Sequence, residues 1–314
     1  MRIRATVAVA TGALALSAFA VPAAQADGPT GSAGSAISRA DAAKVLGAAH
    51  AATGGSGSRA AAAGDTPYAL DASISNVKIN GGRAIVAGTT QQVTVPTTFT
   101  LTHGADVDIT APDFVVDLKI YRGSYAEPDN YLFGDLYPTC TPLSATAATC
   151  KGTIDARPGQ GELFNSDAGT WSANAYAVAL NGENPDAADF DVTKVGFAEQ
   201  AKVGTTKVQR YSRLTVNASP EPVKKGKTIT VKGALTRANW ETNKYAGYTV
   251  QSVKLQFKKK GATSYGDVKT VRSGSAGALK TTVTAAADGY FRYTFAGTTT
   301  TPAVKAAGDL VDVQ

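Results

Sequence analysis

The stretch that decides the fold begins RLTVNASPEPVKKGKTITVKG at residues 213–233 and ends with DGYFRYTFAG at 288–297 and DLVDV at 309–313. Apolar and polar residues alternate between its turn residues, which is typical of half-buried antiparallel strands. In VKLQFKKK, for example, Val253 and Leu255 share a face with Phe257. Several short segments of this kind follow one another at regular spacing, so the basic part of the chain, residues 205–314, is predicted to be one antiparallel β-sandwich.

The same alternation occurs upstream, between residues 65 and 204. In APDFVVDLKIYRG, Phe114 and Val116 begin one apolar face, and Asp117 lies on the other face, where we expect it to meet solvent. Seven or eight such segments predict a second sandwich over this range, with Trp171 in its core. The predicted fold class is therefore all-β, with two tandem antiparallel β-sandwiches.

The first residues, MRIRATVAVATGALALSAFAVPAAQADG, combine a basic start, an apolar run and the small-residue site Ala24-Gln25-Ala26. This pattern predicts a signal peptide over residues 1–26 and a secreted, extracellular protein with no membrane span after cleavage; an uncleaved anchor is the alternative. Residues 27–64 are rich in Ala, Gly and Ser and predict a spacer, with a short helix over 38–51. That helix is either solvated or a docking element.

The two cysteines, Cys140 and Cys150, close a short loop in the part predicted to be exported. Disulfides persist outside the cell, so we predict a bridge, which by loop entropy stabilises the fold by about 2–3 kcal/mol. A reactive thiol or a metal site would need a partner, and the sequence offers only His50 and His103. Two cysteines and a single histidine make a poor zinc site.

The segments RLTVNASPEPVKKGKTITVKGALTRANW, KYAGYTVQSVKLQFKKKG and DGYFRYTFAG resemble the C-terminal Ig-like module of small secreted actinobacterial proteins. The N-terminal half resembles the usual partner domain of that module, so the similarity covers roughly residues 70–314. The resemblance implies tandem Ig-like sandwiches. Members of the group are mostly uncharacterised and some are labelled calcium-binding, so it carries no functional residue over to this chain.

Charge is divided unequally between the two predicted sandwiches. Residues 65–204 hold eight Lys and Arg against seventeen Asp and Glu, a net charge of −9, whereas residues 205–314 hold eighteen against six, a net charge of +12. We expect the basic half to attach to anionic cell-envelope polymers or to another protein, or the opposite charges to drive self-association. Nucleic acid is excluded by export and by the lack of a binding motif. The candidate polyanion-binding residues are Lys224, Lys225, Lys227, Lys258, Lys259 and Lys260. Lysines at turns also serve as ordinary solvated residues.

Carboxylates cluster in two places in the acidic half, and loops at one end of a sandwich could gather them around Ca²⁺, which takes six to eight oxygen ligands. No cofactor is required by the sequence, but calcium binding is the main alternative to envelope attachment. The candidate ligands are Asp106, Asp108, Asp113, Asp186, Asp189 and Asp191. Solvated carboxylates on a strand face are the other interpretation.

Three aromatic residues, Trp240, Tyr245 and Tyr248, lie close together between two predicted strands and could stack on sugars in a carbohydrate-binding module. Packing in a core is the commoner role of such residues. Catalytic motifs are lacking: there is no serine-hydrolase elbow, phosphate loop or zinc-hydrolase spacing. Paired carboxylates of a glycoside hydrolase leave a hydrolase as a further alternative. We predict a non-enzymatic binding or structural module with no catalytic residue.

Overall fold

The computed structural model of the protein describes residues 37–52 and 66–314. The predicted signal peptide at 1–26, and the predicted spacer apart from residues 37–52, lie outside the described residues. Within those two ranges, no helix has the length and apolarity that a membrane crossing needs.

Residues 68–210 form the first sandwich, in which two sheets face each other. Its strands are β1 (Tyr68–Ala69), β2 (Ala72–Ile79), β3 (Ile85–Ala87), β4 (Val93–His103), β5 (Phe114–Gly123), β6 (Pro128–Leu132), β7 (Thr139–Ser144), β8 (Ala147–Ala156), β9 (Gly169–Ala179) and β10 (Gly196–Arg210). One sheet has the order β2-β4-β8-β7, and the other has the order β1-β10-β9-β5-β6 with β3 also paired to β10. Strands β1 and β3 run parallel to β10, and the other pairs are antiparallel.

This strand order is that of an immunoglobulin sandwich. Strands β2, β4, β8 and β7 correspond to A, B, E and D of one immunoglobulin sheet, and β5, β9 and β10 correspond to C, F and G of the other. Two hallmarks of antibody domains, a disulfide between the two sheets and a core tryptophan on strand C, differ here. The disulfide joins Cys140 of β7 to Cys150 of β8 within one sheet, which confirms the predicted bridge. Trp171 lies on β9 and is only 1% exposed, which confirms it as a core residue.

Residues 212–313 form the second sandwich. Its strands are β11 (Ser212–Leu214), β12 (Asn217–Ser219), β13 (Thr228–Asn239), β14 (Lys244–Gly247), β15 (Ser252–Lys259), β16 (Gly266–Arg272), β17 (Ala278–Thr284), β18 (Gly289–Phe295), β19 (Val304–Lys305) and β20 (Asp309–Val311). Strand β13 pairs with β11, β12, β14 and β17 in one sheet, and the order β16-β15-β18-β19, with β20 also on β18, makes the other. Val253, Leu255 and Phe291 lie in the core between them. The chain is all-β with two tandem Ig-like sandwiches, as predicted.

The junction between the sandwiches is packed rather than open. Strand β10 runs through the predicted domain limit at 204/205 and ends at Arg210, whose Nε donates to the carbonyl of Ala238 at 2.6 Å. Trp240, at the end of β13, packs in the core of the first sandwich and donates from Nε1 to the carbonyl of Gly88 at 2.8 Å. The second sandwich therefore supplies one of the large core residues of the first.

The one long helix among the described residues, α1 (Arg39–Ala52), docks on the outer face of the β1-β10-β9-β5-β6 sheet. Ser38 precedes it, and the Ser38 side chain accepts from the backbone N–H of Asp41 at 3.1 Å, as an N-cap residue does. Ile37, Ala42 and Val45 are fully buried against the sheet. The interpretation of this helix as a solvated spacer is therefore wrong, because Ala42 and Val45 share a face that packs on the sheet together with Ile37.

Asp117 corrects a second expectation, since it is buried rather than solvated. Its side chain is 1% exposed, and its Oδ2 pairs with the guanidinium of Arg39 and accepts from the Tyr176 hydroxyl at 3.1 Å. The alternation predicted for β5 is correct, but its second face meets α1 instead of water. The sequence pattern of one strand does not show what covers that face.

Candidate functional site

Two groups of lysines predicted from the sequence meet at one end of the second sandwich. Lys224, Lys225 and Lys227 lie in the turn before β13, and Gly226 of that turn donates its N–H to the carbonyl of Ala285 at 2.8 Å. The other group closes β15, and the N–H of Lys260 donates to the carbonyl of Asp288 at 2.9 Å. Both groups therefore adjoin the same short connection between β17 and β18.

We call these six residues the distal lysine surface, and they are Lys224, Lys225, Lys227, Lys258, Lys259 and Lys260. Strand β13 has 12 residues, begins beside this surface and ends at Asn239, directly before Trp240 in the junction. At about 3.3 Å per residue, the surface lies about 40 Å from the junction along the strand. The first sandwich therefore does not cover it.

The lysines of the distal surface are largely uncompensated by acids. Lys260 pairs with Asp288 at 3.7 Å, while the other five form no ion pair with any residue of the described ranges. All are exposed except Lys258, which is half-buried. Glu221 and Asp312 also lie near this end and reduce its charge. A surplus of exposed ammonium groups remains.

Lys258 also belongs to a cluster of cations and tyrosines that sequence analysis missed. Lys258 and Tyr290 are direct partners across β15 and β18, so their side chains share a face. The Lys258 Nζ lies 5.2 Å from the ring centre of Tyr265 and 5.0 Å from that of Tyr290. The Arg292 guanidinium stacks on Tyr265 at 3.7 Å. The sequence alone does not show this cluster, because it depends on the pairing of β15 with β18 and on the position of the turn that carries Tyr265 before β16.

The two groups of predicted calcium ligands lie in loops at the same end of the first sandwich, but their oxygens have separate partners. Asp113 Oδ2 accepts from the N–H of Gly182 at 2.7 Å, which ties the two loops together. Asp186 pairs with Lys44 of α1. Asp106 and Asp189 are exposed. No three His, Cys, Asp or Glu side chains of the described residues are arranged to hold a metal ion.

The remaining two predicted ligands, Asp108 and Asp191, each close a local turn. Asp108 Oδ1 accepts from the N–H and hydroxyl of Thr110 at 2.8 and 2.6 Å, and these hydrogen bonds hold the pKa of the Asp108 carboxyl below its usual value. Asp191 makes the same pair of bonds with Thr193, and its pKa is lowered for the same reason. Calcium binding by these acids stays a prediction.

The three predicted sugar-stacking residues do not form a shared exposed platform. Trp240 is 2% exposed, so its prediction as a sugar-stacking residue is wrong, because the core of the first sandwich takes the indole. The Arg213 guanidinium lies 3.5 Å from the centre of the Tyr245 ring, and that of Arg237 lies 3.8 Å from the centre of Tyr248. Each tyrosine therefore has one ring face covered by an arginine.

Burial alone would raise the pKa of Tyr248, but the hydroxyl of Thr298 and the positive charge of Arg237 outweigh it and lower the pKa. The hydroxyl groups of Tyr248 and Thr298 lie 3.4 Å apart. The face of the Tyr248 ring thus packs against the half-buried Arg237 beside the junction. Its contacts are those of a packing residue.

No protein-family model matches the chain, and no curated protein matches it. Among solved structures, it is similar to FdeC, an adhesin of Escherichia coli, with 8% identity, a TM-score of 0.33, and coverage of 79% of this chain and 65% of that one. It is also similar to the I67–I69 fragment of titin, with 10% identity, a TM-score of 0.30, and coverage of 78% and 66%. Likeness at this level carries no argument about function, and the Ig-like assignment rests on the strand order.

Proposed function

We propose that the protein is an extracellular, non-enzymatic module that binds anionic polymers of a cell envelope through the distal lysine surface. The observation that carries this proposal is the meeting of both lysine groups at the end of the second sandwich that faces away from the first. The attraction is a property of the whole second sandwich, because residues 212–313 hold sixteen Lys and Arg against six Asp and Glu, a net charge of +10. Six of these lysines converge at its far end. The Cys140–Cys150 disulfide supports an oxidising location.

Binding by such a surface should be electrostatic and sensitive to salt. Exposed charges interact through a Debye length of about 10 Å at 0.1 M ionic strength, so raising the salt removes most of the attraction. Lys258, held beside Tyr265 and Tyr290, would give one fixed contact among otherwise mobile ammonium groups. The ligand class is therefore a flexible polymer bearing repeated phosphate or carboxylate groups.

The test measures binding of residues 27–314 to two probes, long-chain inorganic polyphosphate and polyglutamate, at 50 and 300 mM salt. A triple variant neutralises one part of the distal surface by Lys224→Gln, Lys225→Gln and Lys227→Gln. A matched control removes the same charge from exposed lysines elsewhere on the second sandwich by Lys232→Gln, Lys244→Gln and Lys280→Gln.

We expect the distal triple variant to bind at least tenfold more weakly than the unchanged protein at 50 mM salt, a loss of about 1.4 kcal/mol. The control variant should lose less than threefold, because it keeps the convergent surface. Equal losses in the two variants would show that net charge alone attracts the polymer. If the unchanged protein binds neither polyphosphate nor polyglutamate, the proposed function is rejected.

A further inference from the structure

A cavity of about 380 Å³ opens beside the free edge of β6 in the first sandwich, far from the distal lysine surface. We call it the β6 cleft, and its lining consists of residues 128–133, Asp155, Arg157 and Glu162. Its volume falls in the range of about 300–1,000 Å³ that small-ligand sites occupy. No step of the proposed polymer binding uses it.

The polar wall of the β6 cleft is a fixed network around Arg157. Its Nη1 donates to Glu162 Oε1 at 3.1 Å, and its backbone N–H donates to Glu162 Oε2 at 2.8 Å. The same guanidinium pairs with Asp135 and lies 3.6 Å from Asp155, which is 3% exposed. Because Arg157 has three acidic partners and Asp155 accepts further hydrogen bonds from Thr94 and Gln92, the Arg157–Asp155–Glu162 part of the wall keeps one arrangement without a ligand.

Asp155 remains a carboxylate in this wall. Burial opposes its ionisation, but hydrogen bonds from Thr94, Gln92 and the N–H of Asp135 outweigh burial and lower its pKa. With Asp129 and Glu162, the lining holds three carboxylates against one guanidinium. The cleft is therefore acidic, and it favours neutral or positively charged ligands.

The apolar wall consists of an aromatic pair at the mouth of the cleft. Tyr131 is 54% exposed, and its ring stacks on that of Phe133 at 5.8 Å with an angle of 21° between the planes. The Arg39 guanidinium lies 4.5 Å from the centre of the Phe133 ring and is itself held by Asp117. The pair is thus supported from α1, while Tyr131 remains open to solvent.

We infer that the β6 cleft is a saccharide-binding site for neutral sugars or amino sugars. A pyranose presents an apolar face of C–H groups, which can lie on Tyr131, and a rim of hydroxyl donors, which the carboxylates of Asp129 and Glu162 can accept. An amino sugar adds a positive charge that the acidic wall favours. Such a ligand differs in sign from the polyanion of the proposed function.

The site is one for binding rather than cleavage. Glycoside hydrolysis needs one carboxyl that stays protonated to act as the general acid. Asp155 is held ionised, and both oxygens of Glu162 accept hydrogen bonds from Arg157. Neither of these two residues is arranged as such an acid, so the geometry favours the binding of a hydroxyl or ammonium group over cleavage.

Calorimetric titration of residues 27–314 with three tetrasaccharides tests the inference. The probes are cellotetraose, which is neutral, a glucosamine tetramer, which is cationic, and tetragalacturonate, which is anionic. Tyr131→Ala removes the aromatic wall. Leu143→Ala serves as the matched control, because Leu143 is 67% exposed and lies at the far end of the β7–β8 hairpin.

We expect saturable binding of cellotetraose or the glucosamine tetramer, with a loss of at least tenfold in Tyr131→Ala and less than twofold in Leu143→Ala. Asp129→Asn should weaken the cationic tetramer about threefold more than cellotetraose, because it removes one of the exposed negative charges. The inference is overturned if no probe saturates up to 10 mM, if Tyr131→Ala binds as tightly as the unchanged protein, or if the anionic tetramer binds best even in the distal triple variant. The distal triple variant should leave the titrations with cellotetraose and the glucosamine tetramer unchanged, whereas any weak binding of the anionic tetramer to the distal lysine surface should be lost in it.

Discussion

Replacing Arg39 by methionine should release α1 from the first sandwich while leaving the sandwich folded. Arg39 is the charged partner of the buried carboxylate of Asp117, and its Nη2 also donates to the carbonyl of Gly134 at 2.6 Å. Methionine keeps an unbranched apolar stem against the Phe133 ring but removes the guanidinium. The variant therefore leaves Asp117 without its ion-pair partner for as long as α1 stays docked, and the remaining nearby cation, Lys119, lies over the ring of Tyr176.

The size of the effect follows from comparing two outcomes of the substitution. Either α1 stays docked over an unpaired Asp117 carboxylate, or α1 undocks and water reaches that carboxylate. Breaking a buried ion pair from one side costs about 3–5 kcal/mol, provided that the remaining charge stays buried. Complete burial of the Ile37 and Val45 side chains gives about 1.5–3 kcal/mol each. The unpaired charge costs about as much as the burial of these two side chains gives, and backbone ordering also opposes docking, so undocking, which lets water reach Asp117, is the less costly outcome.

Hydrogen exchange measured residue by residue distinguishes the outcomes. In Arg39→Met, amides in the middle of α1 should lose at least tenfold in protection, while those of β9 change by less than twofold. Lys44→Met is the control on the same helix. Lys44 is 45% exposed and pairs with Asp186, which is 73% exposed, and an exposed pair contributes about 1 kcal/mol or less.

A second substitution tests the cause. Asp117→Asn in the Arg39→Met background removes the uncompensated charge and should restore much of the α1 protection, because a neutral amide can stay buried beside Tyr176. If Arg39→Met keeps full protection in α1 and an unchanged urea midpoint, the reasoning fails, since the buried carboxylate would then need no cation.

Two further predictions concern the cores. Trp240→Ala should lower the free energy of unfolding of the first sandwich by about 3–5 kcal/mol, although residue 240 belongs to the second. Urea denaturation measures it, and a loss below 1 kcal/mol would contradict the shared core. Burial raises the pKa of Tyr293 to about 12. Unfolded tyrosine ionises near pH 10, so this contribution to stability is complete below pH 10 and is lost as the pH rises towards 12. Tyr293→Phe should lack this loss, and parallel pH profiles of the two proteins would count against it.

The strands of both sandwiches could be predicted because most of them alternate with period two between turn residues. Val253 and Leu255 of β15, and Phe291 and Tyr293 of β18, follow this rule and form the core. Strand β10 was largely missed, since its residues AEQAKVGTTK offer no continuous apolar face. Its pairing with β9 and β3, which a single sequence does not specify, makes it a strand.

The contacts of α1 could not be predicted, because each depends on a partner distant in sequence. Arg39 and Asp117 are 78 residues apart, and nothing near either residue indicates the pair. The helix is rich in alanine, which gave it no marked apolar stripe, yet Ala42 is fully buried because a small side chain lets the helix approach the sheet closely. The β6 cleft was missed for the same reason, as its two walls come from separate hairpins.

The position of the distal lysine surface follows from strand direction once the pairing is known. Strands β13 and β17 are antiparallel, as are β15 and β18, so the start of one strand in each pair lies beside the end of the other. The turn before β13 therefore meets the end of β17, and the end of β15 meets the start of β18. Because four residues connect β17 to β18, both lysine groups are drawn to one end of the sandwich. Trp240 fixes the opposite end of β13 in the first sandwich, so packing at the junction leaves the lysine end free of the first sandwich and open to solvent.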